Sequence, residues 1–548
     1  MIRANLLLQR YRLDGRLPPV VKQLYVGVAR ARLRHFVQSA QAALAPPLKS
    51  GQGGEVARIG SRRINTGGPL NHSTDRTALD TAHLVIDQLS GAGIDTFVVT
   101  RTGDRLVIGM AESERDQALL ALTSMSGPGW FLRWFKGRRS GIVSLSQAPT
   151  RRSVVRARRW VVFQAKRLGS RAITSDVGLV VTFWATGPSG MLELVGTRGH
   201  ERFDSRSAPT VERVGARSLA GRIAFPLANS LEHYEGPIDF VYTWVDGSDE
   251  AWLESFRGTA QAFDRQLDED ALNPARFRTR DELRFSLRSV WMYCGWVRRI
   301  FIVTAGQQPL WLRDHPMITI VDHREILPVD GLPTFNSHAI EASLHQIAGL
   351  AEHFVYFNDD MFVARPLRPE HFFEPNGLAR VFQSGARVPG FEDEQTIAVD
   401  TAAIRGRELL AQRFGRVMET KPHHSPYPLL RSVMREIQNE FPEDIEATRR
   451  SRFRSASDLS TAASFAQHYG FATGRGVLSS ISTEYVHVES PRLTWHLDRI
   501  RLVGGVDTFC INETGVDSRQ LPDREEKIAA FLSEMYPLTA PWESDAAS

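Results

Sequence analysis

From Ile238 onward, short unbroken apolar runs alternate with stretches of helical period. "IDFVYTWV", "RRIFIVTAG", "ITIVDH" and "HFVYFNDD" read as buried strands. Between them, "RTRDELRFSLRSVWMYC" places Leu283, Leu287, Val290, Trp291 and Cys294 on one helical face, and Thr279 with Glu282 has capping-box spacing. "SHAIEASLHQIAGLA" turns Ile340, Leu344 and Ile347 inward. After "TKPHHSPYP", the positions Leu430, Val433, Ile437 and Phe441 mark another helix. "DTFCINE" is a last strand before the helix "DREEKIAAFLSEMYP". Strands alternating with helices predict an α/β fold, a Rossmann-like, mostly parallel sheet with helices on both faces.

The front of the chain has a different texture. Residues 76–230 read as a smaller α/β module. It has a helix over Leu79–Leu89, strands at "IDTFVVT", "RLVIGM", "WFLRWF" and "RRWVVFQA", and a hairpin around Gly187-Pro188-Ser189-Gly190. Residues 46–75, rich in Gly, Pro, Ser and Asn, read as a linker. Residues 1–45 read as a helical segment with Leu6, Leu7, Leu8, Val20, Val21, Leu24 and Tyr25 among Arg and Lys. Such a segment fits peripheral contact with a membrane, while a helix packed on its own domain with its basic face in water is the plainer reading.

Charge sharpens the division. Residues 1–235 hold 34 Lys and Arg against 17 Asp and Glu, a net of +17, while the remainder nets −12. Two modules with different tasks are expected, the second spanning 236–540. The arginines Arg138, Arg139, Arg151, Arg152, Arg156, Arg158 and Arg159 make the front electropositive, open to anionic lipid or acidic polymer. No motif for reading nucleic acid accompanies them, so no nucleic-acid partner is expected. No apolar run approaches the roughly 18 residues of a membrane span. Two cysteines, Cys294 and Cys510, make no disulfide framework, which favours a reducing, cytoplasmic setting, with the inner face of the membrane open to the basic segment.

In such a sheet, ligands sit beyond the carboxyl ends of the strands. Three strands end in polar clusters: Asp246 and Asp249; Thr304, Gly306 and Gln307; and Asn358, Asp359 and Asp360. Carboxylates gathered at one edge repel one another unless a cation lies between them, and hard oxygen ligands suit Mg²⁺ or Mn²⁺. A solvated turn is the plain alternative. Arg280, Arg284 and Arg288, spaced by four, form one row with Ser286 nearby, suited to clamping a phosphate or to ordinary surface pairing. His338, Glu341 and His345, after Asn336, share a helical face. Two His and a Glu suit zinc, although the spacing is not His-Glu-x-x-His. His423 and His424 precede a Pro-x-Pro segment, and a histidine there can take a hydroxyl proton. Arg452, Arg454, Asn512 and Glu513 complete the candidates.

These stretches in order, "IDFVYTWVDGSDEAW", "RFRTRDELRFSLRSVWMYCGWVRRIFIVTAGQQPLWL", "HFVYFNDDMFVARPL", "HHSPYPLLRSVMREIQNEFPEDI" and "DTFCINE", resemble the successive conserved blocks of the Stealth family. That family includes bacterial capsule and exopolysaccharide phosphotransferases and the catalytic subunit of animal N-acetylglucosamine-1-phosphotransferase. The resemblance implies an enzyme that moves sugar-1-phosphate from a nucleotide-sugar donor, such as a UDP-hexose, to a hydroxyl of a polysaccharide or other glycan acceptor. The products are a phosphodiester and a nucleoside monophosphate, and Mg²⁺ or Mn²⁺ is the implied cofactor. By residue match, Asp359 and Asp360 fall on the family's acidic pair, Glu341 on its helical acidic position, His424 on the catalytic-type histidine and Arg454 on the arginine of the following block. The expected metal ligands are therefore Asp359, Asp360 and Glu341, with His424, Asp360 and Arg454 catalytic. Asp249, Arg280, Arg284, Ser286, Arg288, Asn336, Asn358 and Asn512 are the expected substrate contacts. "INE" departs from the animal enzyme's Asn-Asp, and His338 stands where that enzyme has proline. Two other readings share these features: a glycosyltransferase that moves only the sugar, and a non-catalytic scaffold at a membrane surface.

Overall fold

Five strands build the sheet that carries the candidate chemistry, in the order Ile318–Asp322, Arg299–Thr304, Ile238–Thr243, His353–Asn358, Tyr427–Leu430. The first four run parallel. Their apolar runs are continuous because Phe240, Tyr242, Ile302, Val303, Phe354 and Phe357 are all fully buried. Burying an aliphatic or Phe side chain of this kind contributes about 1.5–3 kcal/mol. Phe357 packs on Phe240 and Tyr242 at centroid distances of 4.8 and 4.9 Å, which anchors the strand leading to the acidic tip.

Register sets the strand tips level. Thr243 lies opposite Asn358 and Val303, and Thr304 opposite Asp322. The fifth strand is antiparallel, with Tyr427 facing Tyr356, so its beginning reaches the edge where the other four end. Asp360 leads straight into Met361–Val363, which pairs antiparallel with Thr508–Asn512, Met361 opposite Cys510. Thr483–His487 extends this small sheet in parallel, with Tyr485 opposite Cys510 and His487 opposite Asn512. The α/β expectation therefore holds, with one antiparallel strand at the sheet edge and a second, small sheet that the sequence pattern did not indicate.

The structure is a computed structural model describing residues 55–544, apart from 60–61, 103–104, 138, 188–190, 196–201, 205–208, 215–216, 223–232, 264–276, 278, 393–395, 397, 504 and 514–520. The basic segment read at 1–45 lies outside the described residues, as does Arg138.

Three sequence expectations need correction. The helix read from 278 begins only at Glu282, and the capping box is not formed. Asp281 takes a left-handed backbone (φ 62°), and the Glu282 carboxylate accepts from Arg280 N–H instead. The stretch from Ser337 is a short helix, Ser337–Glu341, followed by a separate turn, Leu344–Gln346. There Ser343 Oγ donates to Ala339 O at 3.0 Å, a local bond that competes with continued helix. Within the supposed linker, Val56–Ile59 and Arg62–Asn65 form an antiparallel hairpin, too short for any periodicity to register.

In the front module, Leu179–Thr186 is central, antiparallel to Arg159–Gln164 and Met191–Leu194 and parallel to Arg105–Ala111. The expected hairpin forms, with Trp184 opposite Leu194. Val85 and Leu89 from helix Thr74–Gly91 and Leu119 from helix Arg115–Thr123 share a core with Trp160 and Phe183. The module is bound to the half that follows residue 235. Thr74 Oγ1 donates to Met292 O at 2.8 Å, Ser170 N–H to Glu534 Oε1 at 3.2 Å, and Leu70 and Leu168 enter that half's own core.

Candidate active site

Topology brings three chain segments to one place. The acidic strand delivers Asp359 and Asp360 at its carboxyl end. The antiparallel strand, entering at the same edge, carries His424 three residues before Tyr427. His423 N–H donates to Phe382 O at 2.7 Å and so pins the loop between two sheets. The small sheet supplies Cys510 and Asn512. Around Asp360 the contacts are specific. Cys510 Sγ–H donates to Oδ2 at 3.0 Å and Asn512 Nδ2 approaches the same oxygen at 3.5 Å. Ile511 N–H donates to Asp360 O at 3.1 Å. His424 Nε2 faces Asp360 Oδ1 at 3.7 Å, and both atoms are buried without a hydrogen-bond partner. The other imidazole nitrogen, Nδ1, lies 3.0 Å from the Tyr427 hydroxyl, which fixes the ring.

Electrostatics separates the two carboxylates. Burial raises the pKa of Asp360, but His424, Cys510 and Asn512 outweigh it and hold the group below its ordinary value. Asp359 is pushed well above its ordinary value by burial, then by Asp360 and Glu282. Glu282 is itself raised by burial, and Asp360 adds to this. Glu341, 5% exposed, is raised by burial, while His338, the Ala463 N–H, Arg454 and His424 oppose the shift. Burial also raises Cys510, so the thiol is protonated and donates.

Among the described residues, Asp360, His424 and Cys510 form the group able to hold a metal ion, with ligand atoms within 4.8 Å of one another. The orphaned Asp360 Oδ1 and the mutual repulsion of Asp359, Asp360 and Glu282 fit a divalent cation that relieves both. A protonated thiol is a poor partner for a hard ion. Cys510 therefore fits as a donor to Asp360 rather than as a ligand of Mg²⁺ or Mn²⁺.

Other expected residues are placed differently. Arg284 and Arg288 both pair with the buried carboxylate of Glu543, at 2.6 and 2.7 Å, and Arg288 also donates to Tyr536 O at 3.2 Å. Arg280 lies among Glu282, Glu513 and Glu525. Ser286, fully buried, contacts the Tyr242 hydroxyl at 2.9 Å and donates to Met361 O. Asn336 caps its helix and donates to Asp458 at 2.8 Å, Ser451 O at 3.1 Å and Phe453 O at 3.2 Å, which ties down the segment bearing Arg454. Arg454 in turn donates to Ser337 Oγ at 3.1 Å. Asp249 is an exposed helix cap that accepts from Trp252 N–H at 2.7 Å. Asn358 sits half-buried at its strand end. His345 faces Gln438 at 2.6 Å and His338 lies 3.6 Å from Asp458, so the zinc trio does not assemble. Glu282, Cys510 and Tyr427 are the site residues that sequence reasoning passed over. Cys510 had a usable signal, lying two residues before Asn512 on the same strand face.

Three family models match the chain: Stealth protein CR1, conserved region 1, over residues 236–258; Stealth protein CR2, conserved region 2, over 276–381; and Stealth protein CR3, conserved region 3, over 423–471. Two exopolysaccharide phosphotransferases of Streptomyces coelicolor are similar to it. One is 38% identical over 486 residues, spanning 84% of this chain and 81% of the relative. The other is 37% identical over 487 residues, spanning 84% and 88%. Among solved structures, a galactosyltransferase, LgtC, in complex with donor and acceptor sugar analogs aligns at a TM-score of 0.29 and 13% identity, over 55% of this chain and 96% of that one.

Proposed function

The chain belongs to the Stealth family, and from that premise we propose that it transfers sugar-1-phosphate from a nucleotide-sugar, with a UDP-hexose as the type donor, to a carbohydrate hydroxyl in exopolysaccharide or capsule synthesis. The bond between the donor's two phosphates breaks, and a new P–O bond forms to the acceptor oxygen. The acceptor's proton passes to His424, and a nucleoside monophosphate leaves.

One observation carries this reading: His424 Nε2 and Asp360 Oδ1 face each other at 3.7 Å, both buried and neither hydrogen-bonded, at the carboxyl edge of a parallel sheet. Phosphoryl transfer asks chiefly for positioning and charge neutralisation. Tyr427 holds the ring so that Nε2 is the nitrogen presented to an acceptor hydroxyl. Asp359 and Asp360 would hold Mg²⁺ or Mn²⁺, which when bound neutralises charge on the diphosphate. Arg454 supplies positive charge from the neighbouring loop. We assign Glu341, which accepts from Ala463 N–H at 3.3 Å, to set the field around His424 and Arg454 rather than to ligate the ion.

No helix among the described residues is long and apolar enough to cross a membrane. Two free, buried cysteines fit a cytoplasmic setting, and residues 1–45 are the proposed contact with the membrane's inner face. The test is to incubate the protein with Mn²⁺, a panel of nucleotide-sugars and an oligosaccharide, and to identify the nucleotide released. Nucleoside monophosphate is expected. Nucleoside diphosphate would mean that the sugar alone is transferred.

A further inference from the structure

The edge strand Thr483–His487 alternates strictly. Glu484 and Val486 are buried, whereas Tyr485 and His487 face outward, Tyr485 with 38% of its surface exposed. An exposed tyrosine is ordinary in itself. What sets this one apart is where its register puts it. Tyr485 lies opposite Cys510 and His487 opposite Asn512, and the Cys510 and Asn512 side chains both reach Asp360 Oδ2. Registered residues of neighbouring strands point to the same face of a sheet. A continuous floor therefore runs from Asp360 across Cys510 and Asn512 to an open aromatic end.

The rings agree with this placement. Tyr485 meets His424 edge-on at 5.6 Å between centroids and His487 at 4.7 Å. His424 also meets Tyr427 edge-on, at 6.2 Å between centroids. Among the described residues, the Tyr485 hydroxyl takes part in no hydrogen bond, unlike that of Tyr427, which is held at His424. Tyr485 is thus a partly exposed amphipathic ring at the edge of the site, its hydroxyl partly buried and pushed up in pKa by that burial and then by Cys510 and Asp360, the pattern of side chains that serve ligand surfaces.

We propose that Tyr485, with His487 beside it, is the acceptor-sugar platform: a carbohydrate ring stacks its C–H face on Tyr485 and thereby brings one hydroxyl to His424 Nε2. This rests on the phosphotransfer reading of the same site and adds the acceptor subsite to it. The ligand class follows from the surface. A pyranose offers an apolar C–H face to the ring and hydroxyls to the phenol and imidazole groups around it. The diphosphate of a nucleotide-sugar would be drawn instead to a cation held by the carboxylates at the strand tips.

The test is a split of Michaelis constants, with Mn²⁺, the best nucleotide-sugar of the panel, and as acceptor probe a series of neutral oligosaccharides built from glucose, galactose and mannose. Tyr485→Ala is expected to raise the acceptor KM roughly tenfold or more, the scale of one lost stacking contact, with little change in donor KM. Tyr485→Trp, which keeps an aromatic face, is expected to restore most of the acceptor affinity. A residue that merely shapes the fold would raise both constants together, and Trp would not rescue it. The proposal is overturned if donor KM rises in parallel, if acceptor KM stays put in Tyr485→Ala, or if no oligosaccharide stimulates the wild type. Release of nucleoside diphosphate would instead remove the phosphotransfer reading, while the KM split would still decide the platform.

Discussion

Asp360 divides its two oxygens between different tasks. Oδ2 receives Cys510 and Asn512, while Oδ1 faces His424 without a hydrogen bond. A base in this position contributes about 10²–10⁴-fold to rate. His424→Ala is therefore expected to lower kcat by that order with donor KM near wild type, as read by steady-state kinetics. A wild-type kcat would remove His424 from the role. Asp359 behaves in the opposite sense, because burial, Asp360 and Glu282 all oppose its charge. A carboxyl whose folded pKa is raised stabilises the fold below its ordinary pKa and loses that contribution as pH rises through the folded value. Above the ordinary carboxylate pKa, in ion-free buffer, the group is thus a liability. Asp359→Asn should raise the Tm of the ion-free protein, and Mn²⁺ should raise the Tm of the wild type but not of the variant. A Tm that falls on substitution in chelator would contradict this. At this scale the sequence was informative about what gathers at the strand tips and silent about pairing. The acidic tip is a local pattern, whereas the meeting of His424 with Asp360 depends on an antiparallel strand whose direction no local pattern encodes.

The helix Glu282–Tyr293 departs furthest from its local sequence pattern. The spacing of Arg284 and Arg288 by four was legible, but their partner Glu543 lies 255 residues beyond Arg288, outside any window of periodicity. The row therefore holds the C-terminal segment instead of meeting solvent at the strand tips. Glu543 is fully buried. Burial raises its pKa, but Arg288, the Ala540 N–H and Arg284 outweigh it and hold the group below the ordinary glutamate value. Its contribution is present above the ordinary glutamate pKa and is lost as pH falls through the lowered one. Removing one partner of a buried ion pair costs about 3–5 kcal/mol. Glu543→Gln is expected to destabilise the protein by about that amount, read from the urea unfolding midpoint, and to remove part of the stability lost in acid. A midpoint unchanged from wild type would show the pairing to be dispensable. At the helix start, the left-handed Asp281 aims Glu282 back at Arg280, a conformation uncommon outside glycine that aspartate adopts more readily than most residues. The capping-box spacing at Thr279 concealed it.

Across the whole molecule, the charge division at residue 235 was visible in composition, but the union of the two halves was not. Leu70 and Leu168 sit in the catalytic half's core, and Gly169 approaches Glu534 so closely, with φ of +56°, that an added Cβ would lie 2.7 Å from the Glu534 carbonyl oxygen. Halves sharing a core are expected to unfold together. Calorimetry of the full chain should give one transition, and a protein begun at residue 236 should melt lower. Two well-separated transitions would mean independent units.

Which bond breaks at the Asp360–His424 pair separates sugar-1-phosphate transfer from transfer of the sugar alone. A nucleotide-sugar carrying ¹⁸O in the bridge between the sugar's C1 and its phosphate reports this directly. Transfer of sugar-1-phosphate keeps the label in the phosphodiester product, and mass spectrometry is predicted to find it there. Label recovered in a released nucleoside diphosphate would contradict the account.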